Sequence, residues 1–217
     1  NWGFTTRGCI RNCYFCFVPK MEGKIRVEGD IYDIWNGKSR EIVLMDNNIL
    51  ALPEHFKKIC SQIRKENLRV DFNQGLDHRL LTEDLWGELN SLRHIYEIRF
   101  AFDDIAYTKT AIRALDLMKT NGLKDWQTRW YVYVGVKDTF ETVYNRLEIL
   151  QSYRQHAYLM RDKQVHDNLI WIAMATWTSF QGAFKFDLYR LLKENDRFKG
   201  YAQYFPSQKD IATHCKM

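Results

Sequence analysis

Three cysteines close together near the start of the chain constrain this sequence more than any other feature. Cys9, Cys13 and Cys16 follow the spacing C-x3-C-x2-C within the segment Thr6-Arg7-Gly8-Cys9-Ile10-Arg11-Asn12-Cys13-Tyr14-Phe15-Cys16. Three thiolates on one short loop can ligate three irons of a cubane iron–sulfur cluster, whereas an ordinary electron-transfer cubane is held by four protein thiolates. The spacing therefore predicts a 4Fe–4S cluster with one iron left open to a substrate or cofactor.

The same thiols can also bind zinc, with His78 as a candidate fourth ligand. Zinc sites more often combine two C-x2-C units, and this chain has one. The cluster is therefore the favoured interpretation, and zinc stays open as the alternative. The two other cysteines have ordinary interpretations, because Cys60 falls on the apolar face of a predicted helix and Cys215 lies close to the end.

Composition indicates a packed globular protein. Of the 217 residues, 46% are hydrophobic and only three are proline. No apolar run approaches the roughly 20 residues that span a bilayer, so we expect no membrane partner. Clustered thiols suit a reducing compartment, which predicts a cytoplasmic location. The start at Asn1 rather than Met leaves open an N-terminal region ahead of this chain.

Short apolar runs alternate with amphipathic segments along most of the chain. The pattern predicts strands at 2–6, 41–45, 68–72, 96–102, 130–134 and 157–160. It predicts helices at 53–65, 82–92, 108–120 and 140–153. Repeated strand–helix units form parallel sheets, so we expect an α/β fold, an open parallel (β/α)6 partial TIM barrel. Residues 1–163 form this predicted core, and the aromatic-rich segment 164–217 is predicted to be a helical C-terminal extension.

Polar residues or glycine follow almost every predicted strand. They are Cys9, Asp46-Asn47-Asn48, Asn73-Gln74-Gly75, Asp103-Asp104 and Gly135. Turns are generally polar, so each of these runs taken alone is explained as an ordinary turn after a strand. Ligands of parallel α/β folds bind at the carboxyl ends of the strands, and together these runs predict a site at that end.

The cysteine segment resembles the signature of the radical S-adenosylmethionine (SAM) superfamily, and the similarity extends over residues 3–161. Four further segments are similar to members of the type often fused to a cobalamin-binding domain: 44–48, 72–82, 98–103 and 134–139. The resemblance implies an enzyme in which a 4Fe–4S cluster cleaves SAM to a 5′-deoxyadenosyl radical that abstracts hydrogen from a substrate. It also implies an external flavodoxin- or ferredoxin-like electron donor. A cobalamin domain would precede Asn1, and cobalamin would make methyl or methylthio transfer plausible.

The resemblance also implies residue roles, with no catalytic residue beyond the cluster ligands Cys9, Cys13 and Cys16. The residues expected to contact SAM are Phe15, Asp46, Asn47, Asn48, Gln74, Arg79, Asp103, Gly135, Val136 and Arg161. Phe15, Gly135 and Val136 would lie near the adenine, and Asp103 near the ribose hydroxyls. Gln74, Arg79 and Arg161 are candidates for the carboxylate. The segment 46–48 stands where the family usually has a glycine–glycine–glutamate-like stretch near the amino group of SAM, and here it lacks those glycines.

A second hypothesis belongs to another class of function. A zinc- or cluster-stabilised binding module without catalysis, with RNA as its ligand, agrees with the net charge of +5 and the 15% aromatic content. The Lys and Arg residues are interleaved with Asp and Glu, however, which is typical of a mixed solvated surface. A third hypothesis is a degenerate member that binds SAM without turning it over. Neither the substrate nor the oligomeric state can be read from the sequence.

Overall fold

The computed structural model describes residues 1–180 and 182–207. The chain divides into two compact units. The first consists of Asn1–Ala101 with Lys109–Arg129, and the second of Phe102–Thr108 with the residues from Trp130 onward.

Ten strands and eight helices occur in the described residues. The strands are β1 (Trp2–Gly3), β2 (Thr6–Arg7), β3 (Arg26–Val27), β4 (Glu41–Leu44), β5 (Arg69–Phe72), β6 (Leu76–Asp77), β7 (Arg93–His94), β8 (Ile98–Ala101), β9 (Thr128–Val134) and β10 (His156–Arg161). The helices are α1 (Val18–Glu22), α2 (Pro53–Lys65), α3 (Glu83–Asn90), α4 (Thr108–Thr120), α5 (Phe140–Ser152), α6 (Leu169–Ser179), α7 (Leu188–Glu194) and α8 (Asp196–Lys199).

The first unit contains a parallel sheet with the strand order β1-β4-β5-β7. Val43 of β4 faces Trp2 on one side and Asp71 on the other, and β6 pairs in parallel with β8. Parallel neighbours need a crossover connection, and α2 and α3 lie in the connections from β4 to β5 and from β5 to β7. The prediction of an α/β fold with parallel strands is therefore confirmed.

Helix α2 shows how local sequence produces these elements. It begins at Pro53, whose missing N–H is not needed in the first turn, and it buries Phe56, Ile59, Cys60 and Ile63. These side chains recur at helical spacing and form the apolar face that the sequence predicts. Burial raises the pKa of the Cys60 thiol to about 12, so this cysteine is an inert core residue.

The second unit contains neighbouring strands β9 and β10, with α5 and α6 against β10. Helix α6 buries Trp171, Met174 and Trp177, and Trp177 stacks on Tyr144 of α5 at a centroid distance of 6.1 Å. Helices α6, α7 and α8 fall within the segment predicted to be a helical extension. Residues 208–217 of that segment lie outside the described residues.

One predicted strand is wrong in its extent. The sequence predicts a continuous strand at 2–6, but β1 pairs in parallel with β4 whereas Thr6 of β2 pairs antiparallel with Val27 of β3. The chain leaves one sheet and enters another at Phe4 and Thr5, because the Thr5 and Thr6 amides donate to the side chain of Asp46 there.

Across the described residues, every helix is too short or too polar to cross a lipid bilayer.

Candidate metal centre

Cys9, Cys13 and Cys16 lie on the segment between β2 and α1, residues 8–17, here called the cysteine loop. All three thiols are partly exposed and none is in a disulfide. The Cys16 amide donates to the Cys13 carbonyl at 3.0 Å, which makes a tight turn between them. Within residues 1–180 and 182–207, no three His, Cys, Asp or Glu side chains are gathered as ligands of one metal ion. The chemistry of the donors fits a cluster, but the loop does not hold them as a ligand set.

Asp46, directly after β4, fixes the chain just ahead of this loop. Its Oδ1 accepts hydrogen bonds from the Thr5 amide at 3.0 Å, the Thr5 hydroxyl at 2.9 Å, the Thr6 hydroxyl at 2.6 Å and the Thr6 amide. Its Oδ2 is buried and has no hydrogen-bond partner within residues 1–180 and 182–207. Burial raises the pKa of Asp46 above its usual value, although the threonine hydrogen bonds oppose the rise. One carboxylate oxygen thus organises the backbone while the other is left for a ligand.

Asn48 connects the end of β4 to the cysteine loop. The side chain is buried, and its Nδ2 lies 3.6 Å from Cys9 Sγ and 3.5 Å from Asp77 Oδ2. Its Oδ1 is a second buried acceptor without a hydrogen-bond partner among the described residues. Because native proteins satisfy most buried polar atoms, two such acceptors in one short segment point to a missing ligand.

Asp77, at the end of β6, joins two arginines beside Asn48. Arg11 of the cysteine loop donates Nε to Asp77 Oδ2 at 2.8 Å, and Arg79 donates Nε to Oδ1 at 2.6 Å and Nη2 to Oδ2 at 3.0 Å. Burial alone would raise the pKa of Asp77, but the two guanidinium groups outweigh it and hold the pKa below its usual value. This group carries one more positive than negative charge, which suits an anionic ligand group. The sequence does not predict a role for Asp77, because no local pattern relates this residue to Arg11.

His78 is already engaged inside the first unit. Nδ1 lies 2.7 Å from the Ala101 carbonyl and Nε2 lies 3.2 Å from the Thr110 hydroxyl. Burial lowers the pKa of His78 to about 4, so the ring is neutral at physiological pH. Both ring nitrogens have protein partners, and the geometry does not support His78 as the fourth ligand of a zinc site.

The other predicted site residues of the first unit lie apart from this network or at its edge. Asn47 donates Nδ2 to Glu22 Oε2 at 2.9 Å. Phe15 is partly exposed, with its ring edge-on to Tyr14 at 5.3 Å, and Gln74 is exposed between β5 and β6. The roles of Phe15 and Gln74 toward SAM stay predictions.

Four predicted site residues belong to the second unit. Asp103 Oδ1 accepts the Tyr133 amide at 3.1 Å, and the Gly135 amide donates to Asp138 Oδ2 at 2.9 Å. Val136, at the tip of the following turn, is 59% exposed. Arg161 instead donates to the His166 carbonyl at 2.5 Å. Asp103 thus contacts the last residues of β9, Gly135 directly follows that strand, and Arg161 is held by a separate backbone contact.

Arg146 of α5 contacts the turn at residues 135–138 that follows β9, and the sequence did not predict this contact. Its side chain is fully buried and donates Nη2 to Asp138 Oδ1 at 2.5 Å. Nη1 donates to the carbonyls of Phe102 at 3.2 Å and Tyr133 at 3.0 Å. Arg146 therefore ties the turn after β9 to two strand-end carbonyls. A cation on an otherwise apolar helix face is the sequence signal that could have revealed it.

The second unit also has an open cavity of about 500 Å³ between β10 and α6. It is lined by Tyr158, Leu159, Met160, Arg161, His166, Ile172, Ala175, Thr176 and Ser179. Arg161 is the one predicted site residue in this lining.

No protein-family model matches the chain, and no curated protein matches it at a significant level. The residues of the site are therefore the basis for inferring function. In the first unit Asn48 links Cys9 to Asp77, and Asp77 in turn accepts hydrogen bonds from Arg79.

Proposed function

We propose that this chain is the core of a radical SAM enzyme whose cysteine loop binds a 4Fe–4S cluster through Cys9, Cys13 and Cys16. When bound, such a cluster supplies one electron that cleaves SAM to methionine and a 5′-deoxyadenosyl radical, which abstracts hydrogen from a substrate. One observation carries the proposal. The loop with the three thiols contacts the end of β4 through Asn48, where two buried acceptor oxygens have no hydrogen-bond partner in the described part of the chain.

The polar groups beside the thiols suit the two charged groups of an amino acid. Asp46 Oδ2 and Asn48 Oδ1 can accept hydrogen bonds from an ammonium group, and a buried acceptor left unsatisfied costs about 1–3 kcal/mol. The excess positive charge around Asp77 can attract a carboxylate, because a guanidinium group can donate two parallel hydrogen bonds to the two carboxylate oxygens. The methionine part of SAM carries both groups. The protein would thus orient SAM, while the cofactor supplies the difficult chemistry.

Several finer expectations belong to the same proposal. The parallel strands are compatible with the expected (β/α)6 partial barrel, in which the site would lie at the carboxyl ends of the strands. An external flavodoxin- or ferredoxin-like protein would supply the electron in the cytoplasm. A cobalamin domain would have to lie outside this chain. The substrate remains open, because fold-level analogy does not supply it.

A binding module for nucleic acid is the second candidate. Tyr14 and Phe17 of the cysteine loop are 58% and 67% exposed, and Lys20 and Lys24 are exposed beside them. Exposed aromatic rings among cations can stack on bases and pair with phosphates. In that case the thiols would hold zinc or a cluster for structural reasons alone.

Anaerobic reconstitution with iron and sulfide tests the proposal. Iron and sulfide are measured per chain, then dithionite and SAM are added and 5′-deoxyadenosine is quantified. We expect product from the wild type and from Cys60→Ala, whose buried thiol lies away from the loop, and none from Cys13→Ala. Zinc uptake without iron would overturn the proposal in favour of the binding module. A cluster without SAM cleavage would favour the degenerate member.

A further inference from the structure

We propose that Glu22 is a positioning residue that locks the cysteine loop against the end of β4, an inference that rests on the proposed function. Its carboxylate receives hydrogen bonds from three residues on two segments of the chain. Arg7 of β2 donates Nη1 to Oε1 at 3.1 Å, the Gly8 amide donates to Oε2 at 2.8 Å, and Asn47 donates Nδ2 to Oε2 at 2.9 Å. Glu22 itself ends helix α1, which follows the loop.

Main-chain contacts close the loop at the same place. The Cys9 amide donates to the Gly23 carbonyl at 3.2 Å, and Arg26 donates Nη1 to the Glu22 carbonyl at 2.8 Å. Gly8 has φ +79°, and a Cβ there would lie 2.4 Å from the Lys24 carbonyl oxygen. The backbone before Cys9 and the backbone after Glu22 are therefore in direct contact, and the three thiols lie on the segment between them.

Charge gives this contact its specificity. Between positions 7 and 26 the chain has five cations, Arg7, Arg11, Lys20, Lys24 and Arg26, and Glu22 is the single carboxylate. Its side chain is only 20% exposed, so its hydrogen bonds are partly shielded from water. Hydrogen bonds to an ionised acceptor are roughly twice as strong as neutral ones. Glu22 thus holds the ends of the loop together and keeps the Asn47 side chain turned toward the loop.

A locked loop should retain its cluster, because iron release requires the thiols to separate. We expect iron to pass from reconstituted Glu22→Ala to a ferrous chelator about tenfold faster than from the wild type. Glu22→Gln keeps one acceptor and should release iron at an intermediate rate. Glu28→Gln is the matched control, since Glu28 is half-exposed and 3.7 Å from Arg26, and its rate should equal that of the wild type. Iron release from Glu22→Ala within twofold of the wild-type rate would overturn the proposal.

Amide hydrogen exchange of the metal-free full chain tests the same lock without a cluster. The informative probe is the Cys9 amide, because its partner is the Gly23 carbonyl and not the substituted side chain. We expect exchange at Cys9 to be about tenfold faster in Glu22→Ala, with α2 amides unchanged. Equal acceleration in α2 would mean general destabilisation and would contradict a positioning role, as would unchanged exchange at Cys9. If the wild type takes up no cluster, the proposed function fails and this measurement still decides the role of Glu22.

Discussion

Neutralising Asp138 should destabilise the second unit strongly, because its carboxylate lies 2.5 Å from the buried guanidinium of Arg146 and balances that charge. The guanidinium is fully buried, whereas the Asp138 side chain is 12% exposed. In Asp138→Asn the charge stays buried, but its bonds to the carbonyls of Phe102, Tyr133 and Thr142 remain. Removing one partner of a buried ion pair costs roughly 3–5 kcal/mol. The remaining bonds place the expected loss near the lower end, at about 3 kcal/mol.

Removing the cation instead has a different cost. Arg146→Met leaves the carbonyls of Phe102 and Tyr133 without this donor, at about 1–3 kcal/mol each. Asp138 keeps the Gly135 amide as a partner and some contact with water. The variant with both Asp138→Asn and Arg146→Met leaves neither charge uncompensated. Its loss of unfolding free energy should therefore be about 2 kcal/mol smaller than the sum of the two single losses.

Urea denaturation measures these free energies of unfolding. Circular dichroism and tryptophan fluorescence should give coincident transitions, which the two-state treatment requires. Arg190→Met is the control, because the ion pair of Arg190 with Glu194 in α7 is exposed and such surface pairs contribute little, so its urea midpoint should hardly change. A loss below about 1 kcal/mol for Asp138→Asn, or additivity within about 0.5 kcal/mol, would refute the reasoning.

Two further predictions concern the first unit. From about pH 7.5 to about pH 5 the wild type should lose about 2 kcal/mol more stability than His78→Gln, because the pKa of His78 is about 4 when folded and 6.5 otherwise. The stability that comes from keeping His78 neutral is fully present above pH 6.5 and is lost as the pH falls toward 4. Parallel pH profiles of the urea midpoint for the wild type and His78→Gln would contradict this prediction. Gly8→Ala should cost at least about 1 kcal/mol more than Gly37→Ala, since both residues have positive φ but only Gly8 would bring a Cβ against backbone. Equal shifts in their urea midpoints would mean that the loop can open at little cost.

The sequence by itself determined the elements that depend on local pattern. The bounds of α2 and α4 agree with the prediction, because an apolar face that recurs every three to four residues is visible without a partner. The strands β4, β5, β8, β9 and β10 were also predicted, because each is a short apolar run ended by polar residues or glycine. The cysteine spacing belongs to this class, since it places three thiols on one short loop. Whether that set binds a cluster stays a prediction.

Only the tertiary structure decided which distant residues meet. The short strands β2, β3, β6 and β7 have two residues each, too few for a periodic signal, and they exist because a partner strand supplies their hydrogen bonds. Asp77 meets Arg11 across 66 positions, and Glu22 joins Arg7 to Asn47. Helical spacing places Arg146 on the apolar face of α5, where a charged side chain is unexpected. The fold explains its position, because Asp138 and two strand-end carbonyls accept its hydrogen bonds there. A buried charge is stable only with its partners, and those partners are brought to it by the fold.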